Sequence, residues 1–349
     1  MKNNPLVSIV VPYFNTNECL FKKCIESIAN QDYENKEIIV VDDGSSIENR
    51  EKLQNIVSMY NFVKVIHQSN AGEGAARNTG LSNSKGDYVI FVDSDDGLAK
   101  GWLSFSMEIS LKNNADIVMG SVVRVPKVPV EEEIPFKTNF ACIMPDSIWK
   151  VQRDSFYFKT DLIDGLEILD PGVCSKLIRK KSVENLSFPI GIKLSSDQVF
   201  NHKMIKKSNI IVITNRISYY YVMNDSSISH IFQPNAVDYM MKSMSLIETE
   251  LFDKDECKQA YYYRILGEIT EAIQYAYFSK KFKISFCKKI KGVKYACNNP
   301  LVIKSLKNVK FSFLPNKGWK LKALLLKYNF SFCYVCLKII SDYFDEKHR

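Results

Sequence analysis

The apolar run Tyr88-Val89-Ile90-Phe91-Val92 stops on Asp93-Ser94-Asp95-Asp96, and that junction restricts what the chain can fold into. The run reads as a buried strand. Carboxylates massed at the end of a buried strand are costly unless they bind something. Two of them with one spacer can hold a divalent cation and still leave coordination positions for phosphate oxygens, which suits a nucleotide-diphosphate substrate. The alternative is an acidic cap on a following helix.

Similar runs recur through the N-terminal third. Val7 to Val11, Lys36 to Val41, Val63 to Gln68 and Ile117 to Val123 also read as strands, and Cys19 to Asn30, Glu48 to Tyr60, Ala71 to Ser82 and Gly101 to Asn113 as helices. In the first helix Leu20, Phe21, Cys24, Ile25 and Ile28 share one face, and Asn17 is placed to cap it. Apolar strands alternating with helices predict an α/β fold, with a mostly parallel sheet flanked by helices. Ligands of such sheets bind at the carboxyl ends of the strands. Asp42-Asp43 falls at such an end, as does the 93–96 cluster. Residues 126–145, rich in proline and glutamate, read as a loop; a second compact stretch covers 147–230, and the chain reads as mostly helical from Gln233. The expected division is a domain over 1–232, with a nucleotide-binding half to 125 and an acceptor half beyond it, then a helical basic region over 233–349.

Composition narrows the setting. No leader precedes the first strand and no run of about 18 apolar residues occurs, so a cytoplasmic chain without a spanning helix is expected. Nine cysteines without a regular spacing fit reduced thiols, and the lone pair Cys333 and Cys336 fits helix packing better than zinc. The formal net charge of +8 is unevenly spread: residues 280–338 hold 15 lysines and no arginine or carboxylate, leaving 32 basic against 39 acidic residues elsewhere. A basic surface facing an anionic partner follows. In the tail from Lys317 to Asp345, aromatic and aliphatic residues alternate with lysines, as in an amphipathic helix lying on an anionic bilayer; packing on the protein's own core is the alternative.

Four motifs occur in order: Val7-Ser8-Ile9-Val10-Val11-Pro12-Tyr13-Phe14-Asn15, Glu37-Ile38-Ile39-Val40-Val41-Asp42-Asp43-Gly44-Ser45, Asn70-Ala71-Gly72-Glu73-Gly74-Ala75-Ala76-Arg77-Asn78-Thr79-Gly80-Leu81 and Phe91-Val92-Asp93-Ser94-Asp95-Asp96. Together they resemble the inverting family 2 glycosyltransferases of the GT-A fold, most closely over residues 6–125 and traceably to His230. The resemblance implies a UDP-sugar donor. Phe14 would stack on uracil beside Pro12, Asp43 would accept the uracil N3 hydrogen with Asp42 next to it, and Gly72 and Gly74 would let backbone approach the nucleotide. Arg77 would lie near the diphosphate or ion-pair with the aspartates. Asp93 would contact ribose, Asp95 would hold Mn²⁺ or Mg²⁺, and Asp96 would assist or cap the next helix.

The resemblance also carries a general base onto Asp197 in the stretch from Phe188 to Phe200, in preference to a helix cap. Ser196 stands where a glutamate is usual. His230 would complete the metal shell or touch the diphosphate, while Val222 replaces a usual arginine; Lys176 matches a basic position near the acceptor. His67 carries no signal, and His202 is expected to be structural. The implied acceptor is a saccharide on a lipid diphosphate, as in O-antigen, capsule or lipooligosaccharide assembly. A nucleotidyltransferase would need a glycine-rich loop after the first strand, where Pro12-Tyr13-Phe14-Asn15 stands. A nucleic-acid binder is disfavoured by the arginine-free lysine run. A catalytically inactive sugar-nucleotide scaffold is the remaining alternative, and Ser196 its best support.

Overall fold

A computed structural model describes residues 4–129, 138–166, 169–223, 233–278, 282–314 and 316–347. The chain divides into two compact units, Met1–Asn224 and Asp225–Arg349.

The first unit is built on strands β1 (Val7–Tyr13), β2 (Lys36–Asp43), β3 (Val63–Gln68) and β4 (Tyr88–Phe91), parallel in the order β3-β2-β1-β4. The β-branched residues of β1, β2 and β4 are covered, all seven residues of β1 are buried, and the edge strand β3 is only partly covered. Helices α1 (Glu18–Ala29), α2 (Ile47–Val57) and α3 (Glu73–Asn83) follow β1, β2 and β3. Asn17 caps α1 by accepting from the N–H groups of Cys19 and Leu20, and Phe21, Cys24, Ile25 and Ile28 are its buried face. In α3, a Cβ on Gly80 would lie 2.2 Å from Cγ1 of Val10, so only glycine lets this helix sit so close on β1. Pro12 fits a central strand because the β1–β4 ladder ends at Val10↔Phe91, so the N–H it lacks has no partner to miss.

Beyond β4 the sheet becomes mixed. Strand β8 (Lys176–Arg179) runs antiparallel between β4 and β6 (Ile117–Val125), and β9 (Ile211–Val222) lies parallel to β6. The short strands β5 (Gly97–Leu98) and β7 (Phe140–Ile143) pair antiparallel with β9. The parallel pairing expected from the sequence therefore holds across β1 to β4 and again between β6 and β9, with β8, β5 and β7 antiparallel. The stretch read as a loop contains β7. Helices α4 (Trp102–Asn113), α5 (Ile148–Tyr157) and α6 (Ser196–Lys207) complete the unit.

The second unit is helical: α7 (Ala236–Glu248), α8 (Asp255–Tyr277), α9 (Phe286–Cys297), α10 (Pro300–Asn308), α11 (Lys317–Lys327) and α12 (Ser331–Lys347). The long α8 carries its core, with Tyr261, Ile265 and Ile269 buried and the Tyr261 hydroxyl donating to the Met244 carbonyl at 2.7 Å. The expected single tail helix is two. Asn329 takes a left-handed φ of 54° and the Phe330 N–H turns back to the Leu325 carbonyl, ending α11. All nine cysteines are free, Cys333 is exposed on α12, and no described helix is long and apolar enough to cross a membrane.

Candidate active site

The expected ligand end of the sheet is where β1, β2 and β4 release their chains. Phe14, one residue past β1, leaves its ring 51% exposed. Asn15 follows with φ 49° and accepts from the Ser46 N–H, which ties the β1 exit to the β2 exit. Asp42 is enclosed (0% exposed): its carboxylate accepts from the Ser45 N–H, Arg50 and His67 at 2.8–2.9 Å. Burial opposes its charge, but the hydrogen bonds from Ser45 and His67 and the Arg50 charge prevail and hold Asp42 below the usual carboxylate range. Both carboxylate oxygens of Asp42 are thus engaged by the protein. Asp43 accepts from the Gln68 amide and from the N–H groups of Ala71 and Gly72 at 2.7–2.9 Å, fixing the loop before α3. A Cβ on Gly72 (φ 92°) would meet nothing within 4 Å, so this loop borders open space. Gly74 differs: its Cβ would lie 3.0 Å from the Pro189 carbonyl, so its close approach is to protein, not to a ligand.

One buried cation organises the acids. Arg77, 2% exposed on α3, donates through Nη2 to Glu73 Oε1 at 2.6 Å and to Asp93 Oδ1 at 2.7 Å. Its Nε and Nη1 are buried without a hydrogen-bond partner among the described residues. Desolvation pushes Glu73 up to about 7; Arg77 counters it, while Asp93, Asp197 and Asp95 add to it. Asp95, half-buried, is pushed up to about 6 by burial and by Asp93. Asp96 accepts from the Tyr219 hydroxyl and the Val222 N–H, both at 2.8 Å, and burial with Asp93 and Asp95 raises it to about 9. Asp96 therefore fastens the acid loop to β9 and does not cap a helix.

The second half reaches the same place through aromatic packing. Phe200 of α6 stacks on Phe188 at 4.0 Å, and both contact Phe91 at the end of β4 edge-on. Asn78 of α3 grips Phe188 twice, donating to its carbonyl and accepting from its N–H at 2.8–2.9 Å, and the Arg77 guanidinium lies over the Phe188 ring. Asp197 follows, half-buried in the first turn of α6. Burial raises its pKa above the usual range; the Arg77 charge opposes this, and Asp170 and Asp93 add to it. A Cβ on Gly172 would come within 3.0 Å of Asp197 Oδ2 and 3.1 Å of Asp170 Oδ2, so glycine there leaves both carboxylates room. Lys176, expected at the acceptor, is instead 1% exposed and donates to the carbonyls of Gly172 and Asp170 at 2.5 and 3.0 Å. Its cation holds the 170–174 loop beside Asp197; losing it would strand carbonyl oxygens at about 1–3 kcal/mol each.

His202 is buried and stacked on Phe156 at 4.2 Å, in keeping with a structural role. His230 lies outside the described residues. Among the described residues no group of three metal-ligating side chains is assembled. The donor set still fits a divalent cation: the neighbours that shift Asp95 are Asp93 and a backbone N–H, and a cation would relieve that repulsion. Such ions commonly take one or two carboxylates and leave the other positions to phosphate and water. Reading the sequence missed Glu73 and Asp170. Glu73 stood inside a quoted motif, and Asp170 gave no local signal. A cavity of about 570 Å³ lined by Asp116, Arg179, Lys181 and Lys207 lies at the opposite end of the strands and includes none of the motif residues.

Comparison with known proteins agrees with this geometry. The sequence profile of Glycosyl transferase family 2 matches residues 8–187. The chain belongs to glycosyl transferase family 2. It is 31% identical over 242 residues to glycosyltransferase GlyA of Streptococcus pneumoniae, covering 68% of this chain and 34% of that protein. It is 31% identical over 227 residues to the poly(ribitol-phosphate) beta-glucosyltransferase of Bacillus spizizenii, covering 62% and 32%. The chain thus spans about a third of the length of each. The crystal structure of Staphylococcus aureus TarS 1-349 in complex with UDP-GlcNAc superposes with a TM-score of 0.64 at 20% identity, over 95% of this chain and 90% of that one. The architecture is the GT-A fold.

Proposed function

We propose that the chain transfers a hexose or N-acetylhexosamine from a UDP-sugar to a saccharide hydroxyl with inversion, and that Asp197 is the general base. One observation carries this reading: Asp93, at the end of β4, and Asp197, on α6, act on the same buried guanidinium of Arg77. Carboxylates from the two halves of the fold thereby act on one buried cation. Phe14 stacks on uracil, the lone pairs of Asp43 not engaged by the 68–72 loop accept the N3 hydrogen, Pro12 and Gly72 border the nucleoside, and Asp93 contacts ribose. Arg77 holds Asp93 in place. Asp42 supports the β2 exit. Asp95, with His230, would hold Mn²⁺ or Mg²⁺, which neutralises charge on the departing diphosphate.

In the transfer, the acceptor O–H bond gives its proton to Asp197. The acceptor oxygen bonds to the anomeric carbon on the face opposite the diphosphate. The bond from that carbon to the phosphate oxygen breaks, and UDP leaves with the electron pair. An α-linked donor then yields a β-linked product. The UDP-GlcNAc complex of TarS and the named activity of the Bacillus spizizenii relative support the donor class and a polymer-bound acceptor.

The test is UDP release with Mn²⁺ across a panel of UDP-sugars, with and without a synthetic lipid-diphosphate-linked sugar. Acceptor-stimulated release from one donor is expected. Tight metal-dependent UDP binding with no release from any donor would replace this reading with an inactive scaffold, which Ser196 favours.

A lipid-borne acceptor calls for a chain at the membrane's inner face. Leu321, Leu324, Tyr328, Phe330, Phe332 and Ile340 of the second unit are 40–59% exposed, amid the lysines of an acid-free stretch. That combination suits an anionic bilayer. Phe330→Ser with Phe332→Ser is expected to reduce co-sedimentation with phosphatidylglycerol vesicles several-fold. Equal sedimentation of parent and variant, or equal binding to phosphatidylcholine, would remove the membrane from the reading.

A further inference from the structure

Two carboxylates of the acid cluster, Asp93 and Glu73, are each held on Arg77 through one oxygen with the other uncommitted among the described residues, and Asp93 is already assigned to ribose. Glu73 Oε1 is anchored at 2.6 Å on Arg77, while Oε2 makes no hydrogen bond among the described residues, and the side chain is 42% exposed. The residue occupies the first turn of α3, so its backbone is rigid, and the adjoining Gly72 borders open space. Its anchor is shared with Asp93, on the donor side of the cleft, and is not hydrogen-bonded to Asp197. Arg77 also keeps two buried donors, Nε and Nη1, in reserve within the same cluster.

The chemistry of this corner narrows the ligand. Glu73, Asp93 and Asp197 act on a single cation, Arg77, and the charge of Asp95 adds to the repulsion at Glu73. A phosphate at Glu73 would meet repulsion, whereas a neutral polyol donates hydrogen bonds to carboxylates without that penalty. We propose that Glu73 reads a hydroxyl of the transferred sugar, its Oε2 accepting that hydrogen bond while Oε1 stays on Arg77. Glu73 then sets which hexose is accepted. This rests on the transferase reading above and adds to it a residue that discriminates among donors.

The experiment takes the active UDP-sugar and its analogues deoxygenated singly at each free hydroxyl of the sugar. The parent protein is compared with Glu73→Ala and Glu73→Gln through kcat/KM for each donor. In the parent, one deoxy donor loses about 10- to 100-fold, as for a hydrogen bond to a charged group. In Glu73→Ala that one ratio collapses toward unity while the ratios at the other positions persist, as a double-mutant cycle requires of a direct contact. Glu73→Gln, which keeps the side-chain shape, shrinks the same ratio only in part. A uniform fall across all donors with unchanged ratios would make Glu73 a mere support for Arg77 and overturn the proposal. No transfer by the parent from any donor would instead overturn the transferase reading, and Glu73 with it.

Discussion

Asn in place of Asp197 is expected to lower turnover by about 10²- to 10⁴-fold, the usual worth of a general base, while UDP binds as before. The separation follows from position. Asp197 is carried by α6 and the Phe91-Phe188-Phe200 stack, and not by the β1, β2 and β4 exits that line the nucleotide end. Asparagine is isosteric, so the α6 turn and the Gly172 contact survive the change. The parent should also show an acid limb. Burial and the nearby Asp170 and Asp93 raise the Asp197 pKa above the usual carboxylate range, partly offset by Arg77. The base is ionised above that pKa and lost as pH falls through it, so kcat declines on the acid side at a pH above the ordinary aspartate value of about 3.9. Calorimetric UDP titration beside a kcat profile checks both parts. Loss of UDP affinity with intact turnover of the bound enzyme would remove Asp197 from the chemistry.

Asp95→Asn is expected to cut metal-dependent transfer by on the order of 10²-fold or more, the scale seen when one group stabilising developing charge is removed. The protein should remain folded. Unlike Asp96, whose carboxylate fastens β9 through Tyr219 and Val222, Asp95 supports no other element. Removing a carboxylate that Asp93 repels costs little stability; a small gain in Tm without metal is the natural result. Mn²⁺ titration followed by UDP release, together with a thermal melt, tests this pair of outcomes. Full activity at the parent's Mn²⁺ requirement would show that Asp95 is not a metal ligand.

What could be read from the sequence was the part governed by local periodicity. The β1, β2 and β4 runs are largely apolar, β3 alternates, and α1 and α2 carry side-chain caps, so their identity follows from nearest neighbours along the chain. Strands β5, β7 and β8 have two to four residues each. Runs that short carry no period, and their pairing is decided by a sheet that already exists. The same limit explains Lys176. A lysine in that stretch suggests a charge offered to a ligand, but its neighbours in space are carbonyls of a loop four to six residues upstream. Asp42 and Asp43 are adjacent, yet strand alternation points them to opposite sides: one meets Arg50 and His67, the other the 68–72 loop. Glu73 was overlooked because glutamate at a helix start is ordinary; only its shared hold on Arg77 sets it apart.

The fastening of the acid loop to β9 bears on how the molecule comes into being. Asp96 and Asp93 are joined to Tyr219 and Val222 across 123–126 positions of chain. Pairings between such distant positions close slowly and late. On a ribosome, where synthesis runs from the N-terminus, β1 to β4 with α1 to α3 can assemble early. The Asp96 carboxylate would meanwhile lack its partners until β9 emerges. The cleft would thus acquire its acids in final position only in the closing phase of folding of this unit, which keeps an incomplete nascent chain from presenting a finished donor site.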